Sequence, residues 1–303
     1  MVEFCVTNFS SLIKLLLLPP RSDHLSLFVQ YFSLLPVFDL VEMQKYICRM
    51  DKQQVIFRDL GNMDYKTAWD YQEKLLQENV RRKSLVNSQQ SIVMSAPGDA
   101  SEPTTNESQL TTEHYLLFVE HPPVYTLGKS GNIENVLMSE AQLEENGIQF
   151  FRTNRGGDIT FHGDQQIVGY PILDLEKFYT DIGKYLRNLE EVIMATLADY
   201  GLKGARSTGE TGVWLDPDIP GRERKICAMG VRTSRWITMH GFAFNVNTDL
   251  SYFNNIIPCG IQNKQVTSLE KELGKKIDFE EAKARVKKNF EKVFEVELVN
   301  GER

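Results

Sequence analysis

Apolar segments of strand length follow one another along this chain without a repeating strand-and-helix unit, and this order constrains the fold more than any other feature. These segments predict strands at 55–57, 115–119, 124–127, 157–161, 166–173, 213–215, 226–231 and 236–246. Helical spacing predicts helices at 64–80, 182–200 and 279–294, with a short one between Ser139 and Gly147. Because several strands follow one another directly, the pattern favours an α+β domain over a doubly wound parallel sheet.

Charge and cysteine content exclude several classes of protein. The 303 residues carry a formal net charge of −7, and an acidic chain lacks the dominant basic face that nucleic-acid binding needs. The four cysteines form no C-x-x-C pair and the five histidines no metal-ligating tract, so neither a disulfide scaffold nor a metal site is expected. Few, unpaired cysteines suit a reducing compartment, which predicts a cytoplasmic protein.

The first 42 residues differ from the rest of the chain. Prolines and charged residues interrupt their leucine-rich stretches, so neither a membrane span, a secretory signal nor stable membrane association is predicted. Three interpretations stay open: a start codon assigned too early, with Met43 or Met50 as the natural start, a loosely docked extension, or a membrane-targeting segment. Residues 43–303 are predicted to form a single domain with a polar, flexible insertion at 83–113.

Three segments concentrate residue types that core packing does not require. The first is R-G-G-D-I-T-F-H-G from Arg155 to Gly163, whose paired glycines either let the backbone approach a ligand closely or form a simple turn. The second opens at Lys225, which is either a functional lysine or a strand-end residue that reaches solvent. The third places Cys259 between a proline and a glycine, in a turn that exposes its thiol.

A nucleophilic cysteine needs a neighbouring group that favours its thiolate, because a free thiol is mostly protonated at neutral pH. Lys225, His162 and His240 are the candidate partners of Cys259, whereas Cys227 lies inside an apolar run and is interpreted as buried. The nucleotide-phosphate motifs G-x-G-x-x-G and G-x-x-x-x-G-K-[ST] are absent from the sequence, as is the G-x-S-x-G serine motif.

Several separated motifs, in the same order, resemble the lipoyl(octanoyl) transferase family over about residues 54–294. They are the Arg155–Gly163 run, K-I-x-A-x-G-x-R from Lys225, the Pro258-Cys259-Gly260 turn, H-P-P-V-Y-T-L-G from His121, the His240-Gly241 pair, Asn245, Asp249-Leu250 and T-S-L from Thr267. The sequence departs from the H-G-P-G-Q of the family, since it has H-G-D-Q-Q from His162 to Gln166.

The resemblance implies an α+β domain like that of the biotin and lipoate protein ligases, with a mixed, mostly antiparallel sheet flanked by helices. It also implies transfer of octanoyl from octanoyl-acyl carrier protein to a lysine of apo lipoyl domains in 2-oxoacid dehydrogenase E2 subunits, or of the glycine cleavage H protein. The acyl group is expected to pass through a cysteine thioester. Because the donor is already a thioester, no ATP, cofactor or metal is implied.

The resemblance also assigns roles to residues. Cys259 is implied to be the nucleophile, and Lys225 to favour its thiolate and act as general base. The residues implied to line the acyl chain and hold its carbonyl are Arg155, Gly156, Gly157, Asp158, Ile159, Thr160, Phe161, His162, Ala228, Met229, Gly230, Gly241, Phe242 and Ala243. The positive residues expected to receive an acidic carrier protein are Arg222, Arg224, Arg232 and Arg235.

Three other functions are weighed against the transferase. An ATP-dependent lipoate or biotin protein ligase shares the fold but needs no nucleophilic cysteine. A non-catalytic module that binds lipoyl domains or acyl carrier protein needs neither Lys225 nor Cys259. A papain-like thiol hydrolase needs local cysteine and histidine contexts that this sequence lacks. The presence of both Lys225 and Cys259 favours the transferase.

Overall fold

A mixed β-sheet is the main element of the computed structural model, which describes residues 52–93, 111–257 and 265–301, with side chains to 86 in the first range. The strands in these ranges are β1 (Gln54–Asn62), β2 (His114–Glu120), β3 (Val124–Leu127), β4 (Gln149–Arg152), β5 (Ile159–His162), β6 (Gln166–Ile172), β7 (Val213–Leu215), β8 (Arg224–Ser234), β9 (Ile237–Asn245), β10 (Gln265–Val266) and β11 (Glu297–Asn300). The helices are α1 (Tyr65–Val93), α2 (Glu140–Glu145), α3 (Ile182–Ala198), α4 (Leu269–Leu273) and α5 (Phe279–Phe294).

The large sheet has the strand order β10-β8-β9-β6-β2-β1-β11, and β7 also pairs with β8. Its central pairs β8–β9, β9–β6 and β6–β2 are antiparallel, as is β7–β8, whereas β1 runs parallel to both of its neighbours and β10 runs parallel to β8. The expected α+β fold with a mixed, mostly antiparallel sheet is therefore confirmed. A smaller sheet has the strand order β4-β3-β5, and its strands lie between β2 and β6 in the sequence.

Helices cover both faces of the large sheet. Apolar side chains of α3 and α5, such as Leu189 and Phe290, are fully buried with Phe244 of β9 in one core cluster. On the other face, Ala68 and Leu76 of α1 are buried in a second cluster. Strands β8 and β9 carry alanine and glycine residues where they pair, and these residues line the site described below.

Side-chain caps fix where the helices begin. Ser139 forms a capping box with Gln142 at α2, as the sequence predicts, and Asp181 accepts a hydrogen bond from the Lys184 amide at α3. Helix α3 ends shortly before Gly201, which adopts a positive φ of 76°.

Helix α1 extends into the insertion that is expected at 83–113. Helix α1 continues to Val93, and Lys83 within it donates to a carboxylate oxygen of Asp174 at 2.9 Å. At the other end, Thr112 donates to the second oxygen of Asp174 at 3.0 Å. Contacts with the domain therefore hold both ends of the expected insertion, and the expected extension at 1–42 and residues 94–110 lie outside the described residues.

Candidate active site

A cavity of about 560 Å³ lies where the loop before β5 meets strands β8 and β9. Its volume falls within the range of about 300–1,000 Å³ that is typical of small-molecule sites. Lys225 lines it, together with these residues of the predicted site: Arg155, Gly156, Gly157, Asp158, Ile159, Thr160, His162, Ala228, Met229, Gly230, Gly241, Phe242 and Ala243. Cys259 lies outside the described residues.

The floor of the cavity consists of small residues from two paired strands. Ala228 of β8 pairs with Ala243 of β9, and Gly230 pairs with Gly241. The Arg155–Gly157 loop lies directly on this floor, since the Gly156 amide donates to the Val231 carbonyl at 3.0 Å. A Cβ added to Gly230 would come within 2.6 Å of the Gly156 carbonyl oxygen, so this contact requires glycine.

Arg155 braces the loop from inside. It is 7% exposed, and its guanidinium donates to the Thr126 hydroxyl at 2.9 Å and to the Gly156 carbonyl at 3.0 Å. Asp158 accepts from the Asn135 side chain at 2.6 Å and from the Ile159 amide at 2.7 Å. These bonds tie the loop to Thr126 in β3 of the small sheet and to Asn135.

A row of buried, hydrogen-bonded side chains, here called the polar wall, consists of His162, Gln166 and Asn245. Nδ1 of His162 lies 2.9 Å from Oε1 of Gln166, whose amide donates to Oδ1 of Asn245 at 2.8 Å. The Asn245 amide then donates to the Thr267 carbonyl at 3.0 Å. With Thr126 Oγ1 at 3.3 Å from Nε2 of His162, these distances fit a neutral ring that donates through Nδ1.

Burial keeps the histidines around the cavity neutral. It lowers the pKa of His240 to about 3, with a further contribution from the charge of Arg155, and lowers the pKa of His162 well below its ordinary value. His121, which contacts the Tyr170 hydroxyl through Nε2 at 2.8 Å, has its pKa lowered to about 4 by burial. These rings are weak bases at neutral pH, so they suit positioning better than proton uptake.

A second group of cavity-lining side chains, here called the charged end, consists of Lys225 and Glu210. Lys225 is 8% exposed and opens the apolar part of β8, where it pairs with Trp214 of β7 and with Val266 of β10. Its Nζ lies 3.8 Å from Oε2 of Glu210 and 4.6 Å from the centre of the Trp214 ring. The lysine is thus directed into the cavity rather than along the strand end into solvent.

Two of the expected residues lie away from the cavity. Phe161, expected among the substrate-binding residues, stacks on Tyr252 with ring centres 4.5 Å apart and is 1% exposed in a separate apolar cluster. Its position differs from the expectation because side chains alternate along β5, and Phe161 points to the opposite side from His162. Cys227 is fully buried in the core, as expected, and burial raises the pKa of its thiol.

Although the sequence departs from the family motif after His162, the chain still turns between β5 and β6. Gln165, which stands where the family has its second glycine, adopts the left-handed φ of 59°. Its backbone amide donates to Glu120 at 2.8 Å, and its carbonyl accepts from the Asn247 amide at 3.1 Å and from the Thr248 hydroxyl at 3.1 Å. These bonds hold the strained conformation without glycine, and the flanking His162 keeps its place in the polar wall.

The expected carrier-docking arginines are mostly paired within the domain. Arg224 lies 2.6 Å from Glu272 and 2.7 Å from Asp216, and Arg222 lies 3.2 Å from Asp216. Arg232 lies 2.8 Å from Glu73. These ion pairs remove most of the local positive charge on which that expectation depended.

Several cavity residues were not found from the sequence. Tyr65 of α1, whose ring stacks on His162 with centres 5.9 Å apart, carries no local signal in the sequence. Ile182 and Leu186 read as part of an amphipathic helix but line the cavity. Glu210 could have been identified from the sequence as a candidate, because it lies between two glycines immediately before a strand.

The described part of the chain contains neither a cluster of metal-ligating side chains nor a membrane-spanning helix. Among these residues, no group of three or more histidine, cysteine, aspartate or glutamate side chains is arranged to hold a metal ion. No helix in the same ranges combines the length and the apolar composition needed to cross a membrane.

Comparison with known proteins places this site in a family context. Residues 99–291 match the sequence model of the lipoyl protein ligase A/B catalytic domain. The octanoyltransferase of Flavobacterium johnsoniae is 56% identical over 248 residues, which cover 82% of this chain and 99% of that protein. The octanoyltransferase of Christiangramia forsetii is 55% identical over 247 residues, which cover 81% and 98%.

A solved structure supports the fold independently of close sequence similarity. The structure of a bipartite lipoate protein ligase from Thermoplasma acidophilum superimposes with a TM-score of 0.55 at 16% identity, covering 82% of this chain and 87% of that one. At this identity the likeness concerns the fold alone.

Proposed function

Because this chain belongs to the lipoyl protein ligase A/B catalytic domain family and is an octanoyltransferase in protein lipoylation, we propose that it takes octanoyl from acyl carrier protein and forms a thioester on Cys259. The acyl group then passes to a lysine of an apo lipoyl domain or of the glycine cleavage H protein. The family implies lipoyl-domain proteins as substrates, whereas the carrier-protein donor and the thioester are parts of the proposal.

The observation that carries the proposal is the placement of Lys225 in the same cavity as the small-residue floor and the Arg155–Gly157 loop. Ala228, Gly230 and their partners in β9 leave room for an unbranched acyl chain above the sheet. Loop and strand amides in this region suit a developing negative charge on the acyl carbonyl oxygen. The cavity therefore combines space for a chain with a lysine at its charged end.

In the first half-reaction, the Cys259 thiol transfers its proton to Nζ of Lys225, and the thiolate attacks the carbonyl carbon of the donor thioester. The carbon–sulfur bond to the phosphopantetheine thiol breaks, and the leaving thiolate takes the proton back from Lys225. One thioester replaces another, so this exchange needs no nucleoside triphosphate.

In the second half-reaction, the neutral amine of the acceptor lysine attacks the carbonyl carbon of the acyl-enzyme. Cys259 departs as a thiolate, the amine nitrogen loses a proton to Lys225, and the proton then returns to the cysteine. An amide replaces a thioester, which makes this step favourable overall.

Lys225 is favoured as the base over His162 and His240 by the state of those rings. Burial lowers the pKa of His240 to about 3 and that of His162 well below its ordinary value. Both rings are also engaged in hydrogen bonds, His240 with Asn154 at 2.8 Å and His162 with Gln166 at 2.9 Å. Their role in the proposal is to hold the cavity in shape.

The test is a transfer assay with two donors. Octanoyl carrier protein without ATP should add one octanoyl group to an apo lipoyl domain, detected by the intact mass of the acceptor. Free octanoate with ATP serves as the comparison, because an adenylate-forming ligase would use that mixture. Transfer from octanoate and ATP, with none from the carrier protein, would refute the proposal in favour of the ligase.

A further inference from the structure

Glu210 is held at the cavity by a loop that is fastened at both ends to one buried carboxylate. Glu190 of α3 is fully buried and accepts from Nε of Arg206 at 2.9 Å and from the Gly212 amide at 3.1 Å. Arg187, one helical turn away on α3, also donates to Glu190 at 2.7 Å. Because these bonds lie on either side of Glu210, they restrict the loop that presents it.

Glycines shape the same loop. Gly209 and Gly212 adopt positive φ values of 79° and 116°, on either side of Glu210. A Cβ added to Gly212 would come within 2.5 Å of the Cys227 carbonyl oxygen, so the loop packs closely on β8. This packing brings an acidic side chain to the strand that carries Lys225.

The distance between the two charged groups determines what Glu210 can do. Oε2 of Glu210 lies 3.8 Å from Nζ of Lys225, which is close enough for strong electrostatic attraction but longer than a hydrogen bond. Their side chains are 18% and 10% exposed, so solvent screens the attraction only in part. This separation favours electrostatic attraction between the carboxylate of Glu210 and the amine of Lys225.

Within the described ranges, several other charged or titratable groups that line or adjoin the cavity are engaged elsewhere or neutral. Arg224, the preceding residue, is paired with Glu272 and Asp216, and Arg155 is engaged by Thr126. Burial keeps His162 and His240 neutral. The Trp214 ring, 4.6 Å from Nζ, adds a cation–π contact to Lys225.

We propose that Glu210 is a positioning residue for Lys225, holding its ammonium group at the cavity wall and stabilising the charge that Lys225 gains when it accepts a proton. The inference rests on the proposed role of Lys225 as the base. A third group that orients the base and stabilises its charged form is a recurring arrangement in enzymes with activated nucleophiles. Here that group comes from a loop, not from the strand that carries the base.

The experiment compares Glu210→Gln and Glu210→Asp with the parent in a transfer assay with octanoyl carrier protein and an apo lipoyl domain over a range of pH. Removing the negative charge should lower the plateau kcat about tenfold and move the acidic limb of the kcat profile, which reports the base, to lower pH. KM for both substrates should stay within about twofold, because Glu210 is proposed to act through Lys225. Glu210→Asp, which keeps the charge, should recover most of kcat.

The matched control is Glu191→Gln, which removes a carboxylate of α3 that contacts Arg206 of the same loop. Glu191 contacts Arg206 at 2.9 Å, is 50% exposed and lies outside the residues that line the cavity. Its pH profile should coincide with that of the parent. A control that shifts as Glu210→Gln does would assign the effect to the loop as a whole and overturn the proposal.

Three further outcomes would also overturn it. They are a folded Glu210→Gln variant with the kcat profile of the parent, a Glu210→Asp variant as slow as Glu210→Gln, and a Glu210→Gln variant that does not fold.

The Lys225→Met variant separates failure of the role of Glu210 from failure of the proposed function. If Lys225→Met transfers octanoyl as fast as the parent, the base assignment fails, and the role of Glu210 fails with it. If Lys225→Met is inactive while Glu210→Gln matches the parent, the role of Glu210 alone is refuted.

Discussion

The polar wall and the charged end of the cavity differ in how they hold polar groups away from water. In the polar wall, Gln166 is 1% exposed and Asn245 is 3% exposed, and neutral donors and acceptors are joined in a continuous chain of hydrogen bonds. At the charged end, Lys225 and Glu210 stand 3.8 Å apart and keep some contact with solvent. Hydrogen bonds position the neutral groups of the polar wall, whereas Lys225 and Glu210 attract each other at a distance longer than a hydrogen bond.

This difference separates positioning from proton transfer. A neutral, hydrogen-bonded network resists rearrangement because each buried polar group that loses its partner costs about 1–3 kcal/mol. At the charged end, Lys225 and Glu210 stand 3.8 Å apart, and Lys225 is the residue that we propose for proton transfer. We therefore expect changes at the charged end to affect catalysis, and changes in the polar wall and the floor to affect stability first.

The largest expected effect is that of Lys225→Met, which keeps most of the side-chain volume and removes the amine. Without the general base, kcat should fall by about 10²–10⁴-fold. Alkylation of Cys259 should also slow at neutral pH, because the charge that favours its thiolate is lost. The alkylation rate of Cys259 can be measured over a range of pH by quenching the reaction at set times and determining the mass of the protein.

The control for that variant is Lys276→Met, since Lys276 is exposed in the connection between α4 and α5. It should leave both kcat and the alkylation profile unchanged. If Lys225→Met alkylates as fast as the parent at every pH, Lys225 is a structural residue of the strand end, and the contrast between the polar wall and the charged end loses its functional meaning.

Acid should destabilise the domain through its buried histidines. Burial lowers the pKa of His114 and of His121 to about 4, and that of His240 to about 3. In the unfolded chain these rings take up protons near pH 6.5, so stability present above that value is lost as pH falls towards about 4. Each ring should contribute a loss of about 1.4 kcal/mol per pH unit in that window.

Urea denaturation at several pH values measures this loss. The His121→Gln variant, which removes one titrating ring, should show a shallower decline in unfolding free energy between pH 6.5 and 4 than the parent. Identical slopes would mean that the ring at His121 already accepts a proton in the folded state.

The floor should be sensitive to added volume at Gly230, whereas Gly156 in the loop above it should tolerate the same change. In Gly230→Ala, the Cβ meets the Gly156 carbonyl at 2.6 Å, which should cost about 1–3 kcal/mol and lower Tm by roughly 2–4 °C for each kcal/mol. In Gly156→Ala, the nearest atom is 3.5 Å away, an ordinary contact, so Tm should change little. Equal shifts for the two variants in thermal melts would show that the loop does not rest on β8.

The smallest expected effect is that of deleting residues 1–42. The interrupted leucine-rich stretches of this segment predict neither a membrane span nor a core-facing helix, so Tm and kcat should match those of the full chain. The two proteins can be compared in the same melt and the same transfer assay. A clear drop in Tm would assign the segment to the folded domain.

Long apolar runs made the central sheet predictable, whereas short elements at its edge were not predicted. The 226–231 and 236–246 segments contain enough consecutive apolar residues to identify β8 and β9. Strand β11 has four residues and gains its order from parallel pairing with β1, far away in the sequence, which no local pattern reports. Helix α1 was expected to end near residue 80, because the chain from about Lys83 has almost no apolar periodicity, yet it continues to Val93.

The site followed the same rule. The loop at Arg155 and the lysine at Lys225 stood out because glycine pairs and charged residues are unusual beside apolar strands. Phe161 was misplaced because its strand register was unknown, and one residue of register reverses the side to which a side chain points. The pairing of Glu210 with Lys225 depends on a loop folded back by Glu190, a contact between separate elements that spacing alone does not encode.

The most direct test of the account is the intact mass of the enzyme itself after incubation with octanoyl carrier protein in the absence of ATP and acceptor. The account predicts the added mass of one octanoyl group on the parent, its removal by neutral hydroxylamine, and its absence from Cys259→Ala. Cys227→Ser, which alters a fully buried thiol, should acquire the same mass as the parent. An unmodified parent that nevertheless transfers octanoyl, or an adduct that persists in Cys259→Ala, would contradict it.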